Sequence, residues 1–485
     1  MAAEPRFPHL RELARVGRFR RLIAAQAFSQ AADGLYQIAM ASVLIFSVEA
    51  ARTPAQVTKL LAVTYLPFSL VGPFTGPFID RFSRRSVLVG SKIAMTTITV
   101  ALVPTWPEGA LLALVVTNVS INRFFHAAKN AVLPTLVPSD RYLLANAVST
   151  TTGMVAALGG AVAGGPVVDA VGPEVVVATA AGCMLLSALL AATLPLPAGE
   201  RRGLAGIASE LRDNLRDVRD GLLVLFRSPQ ATYGVTTIWT MRALLGLVLL
   251  ASLVLLRARF DIQATGFSTI FAALAVGGFV GAVLVPPVAR RLGYRGVAPA
   301  AIAVAAVATL LGGPIPSLAA LLPTVFVGGL AVSATKIAAD TLVQRGVPDS
   351  YRGRAFTVYD LGYNGAFVIA GLIPTALRPL LGDLGIILLT GGLALAAAAM
   401  FLRWRARIPE PIEVRCYAGT RGEEVPREVV FEGFTLEVEE VERSWQEDRN
   451  GRRLLCFRLR LSGGRRIQVS QGEMWRLDRE LAPAG

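Results

Sequence analysis

The sequence has few of the residues that bind metals or form disulfide bridges. It contains three cysteines (Cys183, Cys416 and Cys456) and two histidines (His9 and His126) among 485 residues. An odd number of cysteines without a CxxC pair gives no disulfide framework, and two histidines this far apart do not predict a zinc site. The nucleotide-binding sequence GxxxxGK[ST] does not occur either. We therefore expect no metal, no cofactor and no enzymatic activity.

Charged residues are also scarce. They make up 17% of the chain, whereas hydrophobic residues make up 53%, and the mean hydropathy is +0.54. Soluble domains contain about 25% charged residues, and a single soluble core seldom grows beyond roughly 250–300 residues. This composition predicts a protein whose apolar surface is covered by lipid rather than by water.

Twelve apolar runs are long enough to cross a membrane. The hydrocarbon core of a bilayer requires about 20 apolar residues per helix. The runs lie near residues 22–47, 55–79, 86–105, 110–133, 148–169, 174–195, 232–256, 264–288, 297–315, 317–339, 356–378 and 384–403. The first run has about 25 residues, which is too long for the core of a signal peptide. We therefore expect an all-α membrane protein with twelve transmembrane helices, the first of them retained.

The positive charge lies in short segments on one side of these runs. The net charge is +14, and residues 405–485 carry none of it, so the whole excess lies in residues 1–404. The basic segments are residues 15–21, 81–85, 141, 201–227, 290–295, 345–354 and 403 onward. They alternate with short and nearly uncharged loops, as the positive-inside rule requires, with Arg257 and Arg259 as the main exceptions. We therefore place both termini in the cytoplasm, and the absence of a compact basic face argues against nucleic-acid binding.

Two landmarks recur at the same distance along the chain. Residues 76–85 align with residues 286–295, and Val137-Pro138 aligns with Val347-Pro348, in both cases 210 residues later. A shared offset indicates two homologous halves of six helices related by an axis along the membrane normal. The predicted domains are an N-terminal half (residues 1–197), a cytoplasmic linker (198–230), a C-terminal half (231–405) and a β domain (411–480).

The linker and the C-terminal region have their own patterns. Residues 204–226 carry apolar side chains at helical spacing with arginine and aspartate between them, which predicts an amphipathic helix on the cytoplasmic membrane surface. Residues 411–480 alternate as strands do, with turn signals at Asn450-Gly451 and Gly463-Gly464. We expect a small cytosolic β-barrel or sheet of five or six strands. It could regulate transport, bind a cytosolic partner or act as a stabilising appendage.

The loop after the second apolar run carries the most specific motif. Its sequence is Gly76-x-x-x-Asp80-Arg81-x-x-Arg84-Arg85. It resembles the loop signature GxxxDRxGR[KR] of the major facilitator superfamily, with Ser83 at the position of the usual glycine. The resemblance implies a secondary transporter that works by alternating access, with this cluster as a cytoplasmic gate between the two halves. The alternative is a basic loop that only sets membrane topology.

The second copy of the gate loop departs from the first. Arg290 stands at the position that corresponds to Asp80, and an arginine cannot provide the anionic part of the contact. We therefore expect an asymmetric gate carried by the first half. The Asp80→Asn variant should impair transport far more than Arg290→Gln.

Two further resemblances bear on the direction of transport. Residues 130–147 and 340–355 look like stretches of the macrolide and siderophore exporters, which implies efflux of a drug, siderophore or other metabolite. Gly160, Gly164, Gly165 and Pro166 are similar to the glycine-proline motif of antiporters, although ordinary packing of small residues explains them equally well.

Ionisable residues inside the apolar runs are the candidate transport site. A charge at mid-bilayer costs about 3 kcal/mol on insertion scales, so each one is a functional hypothesis. The candidates are Asp33 in the first run, Arg123 and His126 in the fourth, Arg242 in the seventh and Lys336 in the tenth. In the superfamily these four helices line the central cavity. Residues 123–128 also resemble the fourth-helix arginine motif of drug/proton antiporters.

Asp33 is the candidate for proton coupling, with Arg123 or Arg242 as its cationic partner. A carboxylate beside an arginine stays charged and takes up a proton more readily when the arginine turns away. A static ion pair that holds helices together is the alternative. The excess of cationic candidates favours a small-molecule substrate with an anionic group.

Other properties follow from the same interpretation. Only four of the 48 basic residues are lysine, which is typical of a GC-rich bacterium, so the expected location is a bacterial cytoplasmic membrane. The expected partners are a small-molecule substrate, protons and lipid, and the expected oligomeric state is a monomer. Two alternatives stay open: a lipid or lysolipid flippase of the same fold, and a membrane sensor with the β domain as its output.

Overall fold

The structure is a computed structural model. It describes residues 13, 15–43, 81–103, 106–138, 141–196, 207–260, 263–315, 317–408, 410–411, 413–418, 424–431, 434–449, 452–462, 466–471 and 475–481. Helices occupy the described chain up to residue 405 and strands occupy the remainder.

Eleven α-helices are described before the strands. They are α1 (Gly17–Ala41), α2 (Arg84–Ala101), α3 (Glu108–Leu136), α4 (Tyr142–Val171), α5 (Pro173–Ala192), α6 (Ile207–Arg227), α7 (Pro229–Phe260), α8 (Ala264–Leu292), α9 (Tyr294–Gly312), α10 (Leu318–Gly346) and α11 (Arg352–Arg405). A 3₁₀ turn, Asp349–Tyr351, precedes α11. Within α11, Gly382 has a φ of +64° and separates two helical segments.

The helices coincide with eleven of the twelve predicted spans, counting the two segments of α11 separately. The predicted second span (55–79) lies outside the described residues, so the number twelve stays a prediction. Within the described chain, eight segments are long and apolar enough to cross a membrane. The prediction of a mostly helical membrane-type fold followed by β structure is confirmed.

Three glycines divide consecutive helices. Gly172, Gly293 and Gly382 have φ values of +90°, +68° and +64°. Only glycine adopts such angles without a steric penalty, so each residue reverses the chain within one position. Pro173 then begins α5, at the first helical position, where its missing N–H costs no hydrogen bond.

The helices form two groups. Helices α1–α5, the first half, pack with one another, and α7–α11, the second half, do the same. In the first half, Arg85 at the start of α2 donates to the carbonyl of Ala192 at the end of α5. Arg21 near the start of α1 donates to Thr193 beside it, at 3.0 Å. We call this end of the molecule, where the arginines lie, the basic side.

Helices α4 and α8 join the two halves on the opposite side. Helix α4 ends there at Val171, and α8 begins there at Ala264. The Cβ of an alanine at Gly165 would lie 2.8 Å from the carbonyl oxygen of Ala264. Such a close approach is possible only because glycine has no side chain.

The linker helix α6 binds the second half. The Arg354 guanidinium lies 2.9 Å from an Asp217 carboxylate oxygen and 3.6 Å from one of Asp220. Leu225 is fully buried, whereas Leu215 and Phe226 are exposed. The predicted amphipathic helix is therefore present, and its position on the membrane surface stays a prediction.

In the described part of the chain, seven strands form one antiparallel sheet. They are β1 (Glu410–Pro411), β2 (Glu413–Ala418), β3 (Glu424–Phe431), β4 (Phe434–Arg449), β5 (Arg452–Leu461), β6 (Arg466–Gln471) and β7 (Trp475–Leu481). The strand order is β1-β7-β6-β5-β4-β3-β2.

The strands at the two ends of this order are neighbours in the sequence. A single residue separates β1 from β2, yet β1 pairs with β7 and β2 pairs with β3 at the other end of the strand order. The apolar side chains inside include Val429, Leu459 and Val469, each fully buried. The predicted five or six strands become seven because the first stretch pairs with two different neighbours on either side of residue 412.

Candidate functional site

Asp33 lies at the centre of a buried polar cluster formed by α1, α2 and α3. Its side chain is 9% exposed, and one carboxylate oxygen lies 3.9 Å from the Nζ of Lys92. The other oxygen accepts a hydrogen bond of 3.0 Å from Asn122 Nδ2 and lies 3.8 Å from His126 Nε2. Two candidates from different helices, Asp33 and His126, are thus brought together.

Lys92 is the lysine that lies beside Asp33 in this cluster. Its side chain is fully buried, and Nζ donates to Asn122 Oδ1 at 3.0 Å. The ammonium also lies 4.3 Å from the centre of the Phe125 ring, in a cation–π contact. The expectation that Arg123 or Arg242 is the cationic partner of Asp33 therefore needs correction, because the structure places Lys92 there. A buried lysine needs such partners, since an isolated ammonium is expensive to desolvate.

His126 connects this cluster to its surroundings. Its side chain is 21% exposed, whereas the side chains of Asp33 and Lys92 are 9% and 0% exposed. The imidazole is therefore the most accessible of the three ionisable groups.

Arg123 interacts electrostatically with Asp360, and this interaction crosses from the first half to the second. Arg123 belongs to α3 and Asp360 to the first segment of α11. Lys336 on α10 forms an ion pair with Asp340 one turn later, with Nζ 3.0 Å from Oδ2. Lys336 also interacts electrostatically with Asp360. The structure therefore brings two more candidates, Arg123 and Lys336, to one group of charges between the halves.

Arg242 lies against aromatic rings. Its guanidinium carbon lies 4.2 Å from the centre of the Tyr363 ring and 4.6 Å from that of Phe367. Its Nε donates to the Tyr363 carbonyl at 3.4 Å. Tyr363 in turn stacks on Tyr359, with the ring planes 8° apart. Arg242 thus belongs to an aromatic cluster in the second half and is not one of the residues that contact Asp33 in the cluster described above.

The described residues of the predicted gate bind carbonyl groups of the first half. Arg84 donates to the Ala131 carbonyl near the end of α3 at 2.6 Å, and Arg85 to that of Ala192. Cations at these positions also complement the negative ends of the helix dipoles. Arg81 is buried. Gly76 and Asp80 lie outside the described residues, so the gate stays a prediction.

The glycine-rich stretch of α4 packs against two helices. An alanine Cβ at Gly160 would lie 2.1 Å from the Ala31 carbonyl oxygen of α1, and one at Gly164 would lie 3.4 Å from Leu35. Gly165 faces α8, and Pro166 lies within α4 itself. These contacts account for the glycines as close-packing residues. A role in antiport is not needed to explain them.

The sequence interpretation omitted four residues of these clusters. Lys92, Asn122, Asp340 and Asp360 all contribute to the polar groups described above. Lys92 and Asp360 lie within predicted spans, so the rule applied to the other intramembrane charges would have identified them. Asn122 is uncharged and Asp340 lies just beyond a predicted span, so that rule gave no signal for either residue.

Known proteins resemble this chain over most of its length. A family model described as Major Facilitator Superfamily matches residues 22–256 and 243–415. An uncharacterised MFS-type transporter of Mycobacterium tuberculosis is 28% identical over 394 residues, covering 77% of this chain and 88% of that protein. The uncharacterised MFS-type transporter YfiS of Bacillus subtilis is 27% identical over 216 residues, covering 44% and 51%.

Solved structures show the same fold. The nucleoside transporter NupG covers 80% of this chain and 99% of its own, with a TM-score of 0.59 and 14% identity. A POT family transporter in complex with 5-aminolevulinic acid covers 80% and 96%, with a TM-score of 0.62 and 12% identity. At these identities the likeness concerns the fold alone. With the family match over most of the helical region, the chain belongs to the Major Facilitator Superfamily and is a multi-pass membrane transporter, not an enzyme.

Proposed function

We propose that this transporter is a proton-coupled exporter of a small molecule that works by alternating access. The observation that carries the proposal is the cluster of Asp33, Lys92 and His126. A carboxylate, an ammonium and an imidazole meet among membrane helices, where ionisable groups are expensive and mark proton pathways. His126 provides the route by which a proton reaches Asp33.

The balance of charge in the cluster supports a coupling role. With Lys92 charged, Asp33 is the compensating anion, and Asn122 donates a hydrogen bond to it. A proton on Asp33 would cancel this compensation and weaken both contacts. Helix α1 would then be less firmly held to α2 and α3, so proton load and helix packing are linked. The alternative is a static ion pair that only stabilises the first half.

Besides the Asp33 cluster, the charges between the halves support a coupling between proton load and conformation. The Arg123–Asp360 interaction is one that relative movement of the halves would change. The contact between α4 and α8 supports a conformation in which the halves meet on the side away from the arginines. By the positive-inside rule, that side is periplasmic or external, and substrate would enter from the cytoplasm.

The driving force is sufficient for export. A membrane potential of roughly 100 mV supplies about 2.3 kcal/mol per charge moved, which supports about a fortyfold concentration gradient. The proposed substrates are drugs, siderophores or other metabolites with an anionic group, and the proposed location is a bacterial plasma membrane with both termini in the cytoplasm. The β region would lie in the cytosol, as a regulator or a binding module.

Inverted membrane vesicles test the coupling. A pH gradient is imposed, and a panel of candidate substrates is then added. The dissipation of the pH gradient is followed with a fluorescent probe. We expect substrate-dependent proton release from the native protein and none from Asp33→Asn. The matched control is Asp383→Asn, because Asp383 likewise forms an ion pair with a basic residue, Arg378, at 2.9 Å, but lies beside the Gly382 turn. Unchanged coupling in Asp33→Asn would eliminate the proton role.

A further inference from the structure

A polar cavity lies within the first half, apart from the Asp33 cluster. Its volume is about 520 Å³, within the range of small-molecule sites. Among the described residues, ten on α1, α3 and α4 line it; one of these is a cation, Lys129, and none of them is acidic. It lies toward the basic side, because its α4 residues begin at Tyr142, the first residue of that helix.

Lys129 is a buried cation whose charge is only weakly compensated by its neighbours. The residue is only 8% exposed, and its Nζ donates to Ser149 Oγ at 3.4 Å, which is a long hydrogen bond to a neutral group. The Ser149 hydroxyl is itself held, since it lies 2.6 Å from Gln26 Oε1. No carboxylate of the described residues pairs with Lys129. A buried ammonium without an anion is unfavourable, so a counter-ion from outside the chain would stabilise it.

The other groups of the cavity suit an oxyanion. The amides of Gln26 and Gln30 meet at Gly153, where an alanine Cβ would lie 2.7 Å and 3.2 Å from their nitrogens. The missing side chain at Gly153 therefore leaves room for two amide groups. Asn146 and Thr150 lie at the exposed edge and add further hydrogen-bond donors. The Gln26 amide already donates to the Ser149 carbonyl at 2.7 Å. Lys129 and the amides of Gln30 and Asn146 could satisfy the several acceptor positions of a phosphate or carboxylate.

The site belongs to the first half alone. The 210-residue repeat places Ala339 at the position that corresponds to Lys129, and Ala339 is fully buried in the apolar core of the second half. The charge is therefore not a structural requirement of the fold. This asymmetry distinguishes the cavity from the packing features that both halves share.

We infer that this cavity binds an oxyanion, a phosphate or carboxylate group, with Lys129 as the charged ligand and the surrounding amides as hydrogen-bond donors. In the transport cycle it would hold the anionic group of the substrate on the cytoplasmic side, so this role deepens the proposed function and rests on it. The same chemistry is present in a free anion and in the headgroup of an anionic lipid.

Thiol labelling of Thr150→Cys in the full chain tests the site. The protein is placed in phosphatidylcholine nanodiscs, and inorganic phosphate replaces chloride at constant ionic strength. We expect labelling to slow about tenfold with phosphate at about ten times its dissociation constant, since the introduced thiol is then covered about nine-tenths of the time. Labelling of the native cysteines, measured without Thr150→Cys, is subtracted.

Variants of Lys129 separate a specific site from general shielding. In the labelling background, Lys129→Gln should abolish the protection, and Lys129→Arg should retain it because the charge is kept. Arg291→Gln is the matched control, since it removes an exposed cation from the other half. Equal protection in Lys129→Gln and the native background would overturn the inference. The thermal unfolding midpoint of each variant shows whether it is folded.

Lipid composition identifies the source of the anion. If discs containing phosphatidylglycerol slow labelling without added phosphate, and do so only with Lys129 or arginine at this position, the ligand is a lipid headgroup. If phosphate protects and lipid composition has no effect, the ligand is a free anion. If neither changes the rate, there is no oxyanion site. The vesicle assay of proton coupling is a separate measurement from thiol labelling. The proposed proton-coupled export and the proposed oxyanion site can therefore fail separately.

Discussion

The Asp169 carboxylate at the end of α4 accepts a hydrogen bond of 2.8 Å from the backbone N–H of Thr265 at the start of α8. It also accepts one of 2.9 Å from the N–H of Ala264. The first N–H groups of a helix have no partners within that helix, and a carboxylate there also complements the helix dipole. Asp169 therefore acts as an N-cap supplied by the other half. It joins the halves on the side opposite the arginines.

Removal of this cap should loosen the contact between the halves. Loss of an N-cap costs about 1 kcal/mol, which is roughly a fivefold change in a two-state population. In Asp169→Ala we therefore expect about fivefold faster thiol labelling of Ser268→Cys, because Ser268 is 2% exposed and lies at this contact. Asp349→Ala is the control, since the Asp349 side chain is 89% exposed. Equal rates in both variants would show that Asp169 does not hold the halves together.

The close approach of α1 and α4 should tolerate no side chain at Gly160. An alanine Cβ there would lie 2.1 Å from the Ala31 carbonyl oxygen, whereas one at the neighbouring Gly159 meets nothing within 4 Å. Overpacking typically costs about 1–3 kcal/mol, so Gly160→Ala should lower the thermal unfolding midpoint in detergent. Gly159→Ala should leave the midpoint unchanged or raise it, because alanine favours helix. A drop of equal size in both variants would contradict the packing role.

The pair of Asp33 and Lys92 should show strong coupling in a double-mutant cycle. Removal of one partner leaves a buried charge uncompensated and costs about 3–5 kcal/mol, so Lys92→Met alone should reduce the free energy of unfolding severely. The double variant Asp33→Asn/Lys92→Met should recover much of the loss, because neither residue is then charged. The measurement is the unfolding midpoint of the single and double variants. Additive effects would show that the two charges do not interact.

The β region should lose stability in acid through Glu442. Its carboxylate accepts two hydrogen bonds from Arg466, and these lower its pKa below the ordinary value of 4.5. Because the pKa is lower in the folded state, the stabilisation is fully present well above pH 4.5 and is lost as the pH falls through the folded pKa. Trp445 fluorescence, corrected with Trp445→Phe, should report unfolding at low pH.

The matched variant for this pH dependence is Glu442→Gln. It removes the titrating group, so the β region should be less stable at neutral pH and its stability should depend less on pH between 5 and 3. An unchanged acid transition in Glu442→Gln would assign the transition to another carboxylate.

The sequence was sufficient to predict the helices because membrane-spanning segments are marked by long apolar runs. Long apolar runs such as Pro173–Ala192 satisfy both the length and the composition that a bilayer requires. The strand pairing of the sheet was predicted less well. Alternation identifies strands, but it does not show that residues on either side of position 412 pair with different neighbours.

The residue types of the candidate site were predicted from the sequence, but the partners of each residue were not. Asp33 and His126 were recognised as intramembrane ionisable residues, and the structure brings them within 3.8 Å of each other. The partner Lys92 depends on which faces of α1 and α2 meet, and a uniform apolar pattern does not specify helix rotation. Asp169 lies at the end of a predicted span, where a carboxylate is common. Its contact with Thr265 depends on the docking of the two halves, which local sequence does not encode.

The docking of α6 has a consequence for observing the transport cycle. Arg354 binds Asp217 at 2.9 Å, and Gly221 lies so close to the Arg354 carbonyl that an alanine Cβ would come within 2.3 Å of it. Helix α6 is therefore docked closely on the second half. Leu215 on this helix is 60% exposed, so a spin label or fluorophore attached there would report the movement of that half that the proposed alternating access requires, while every cavity residue stays native.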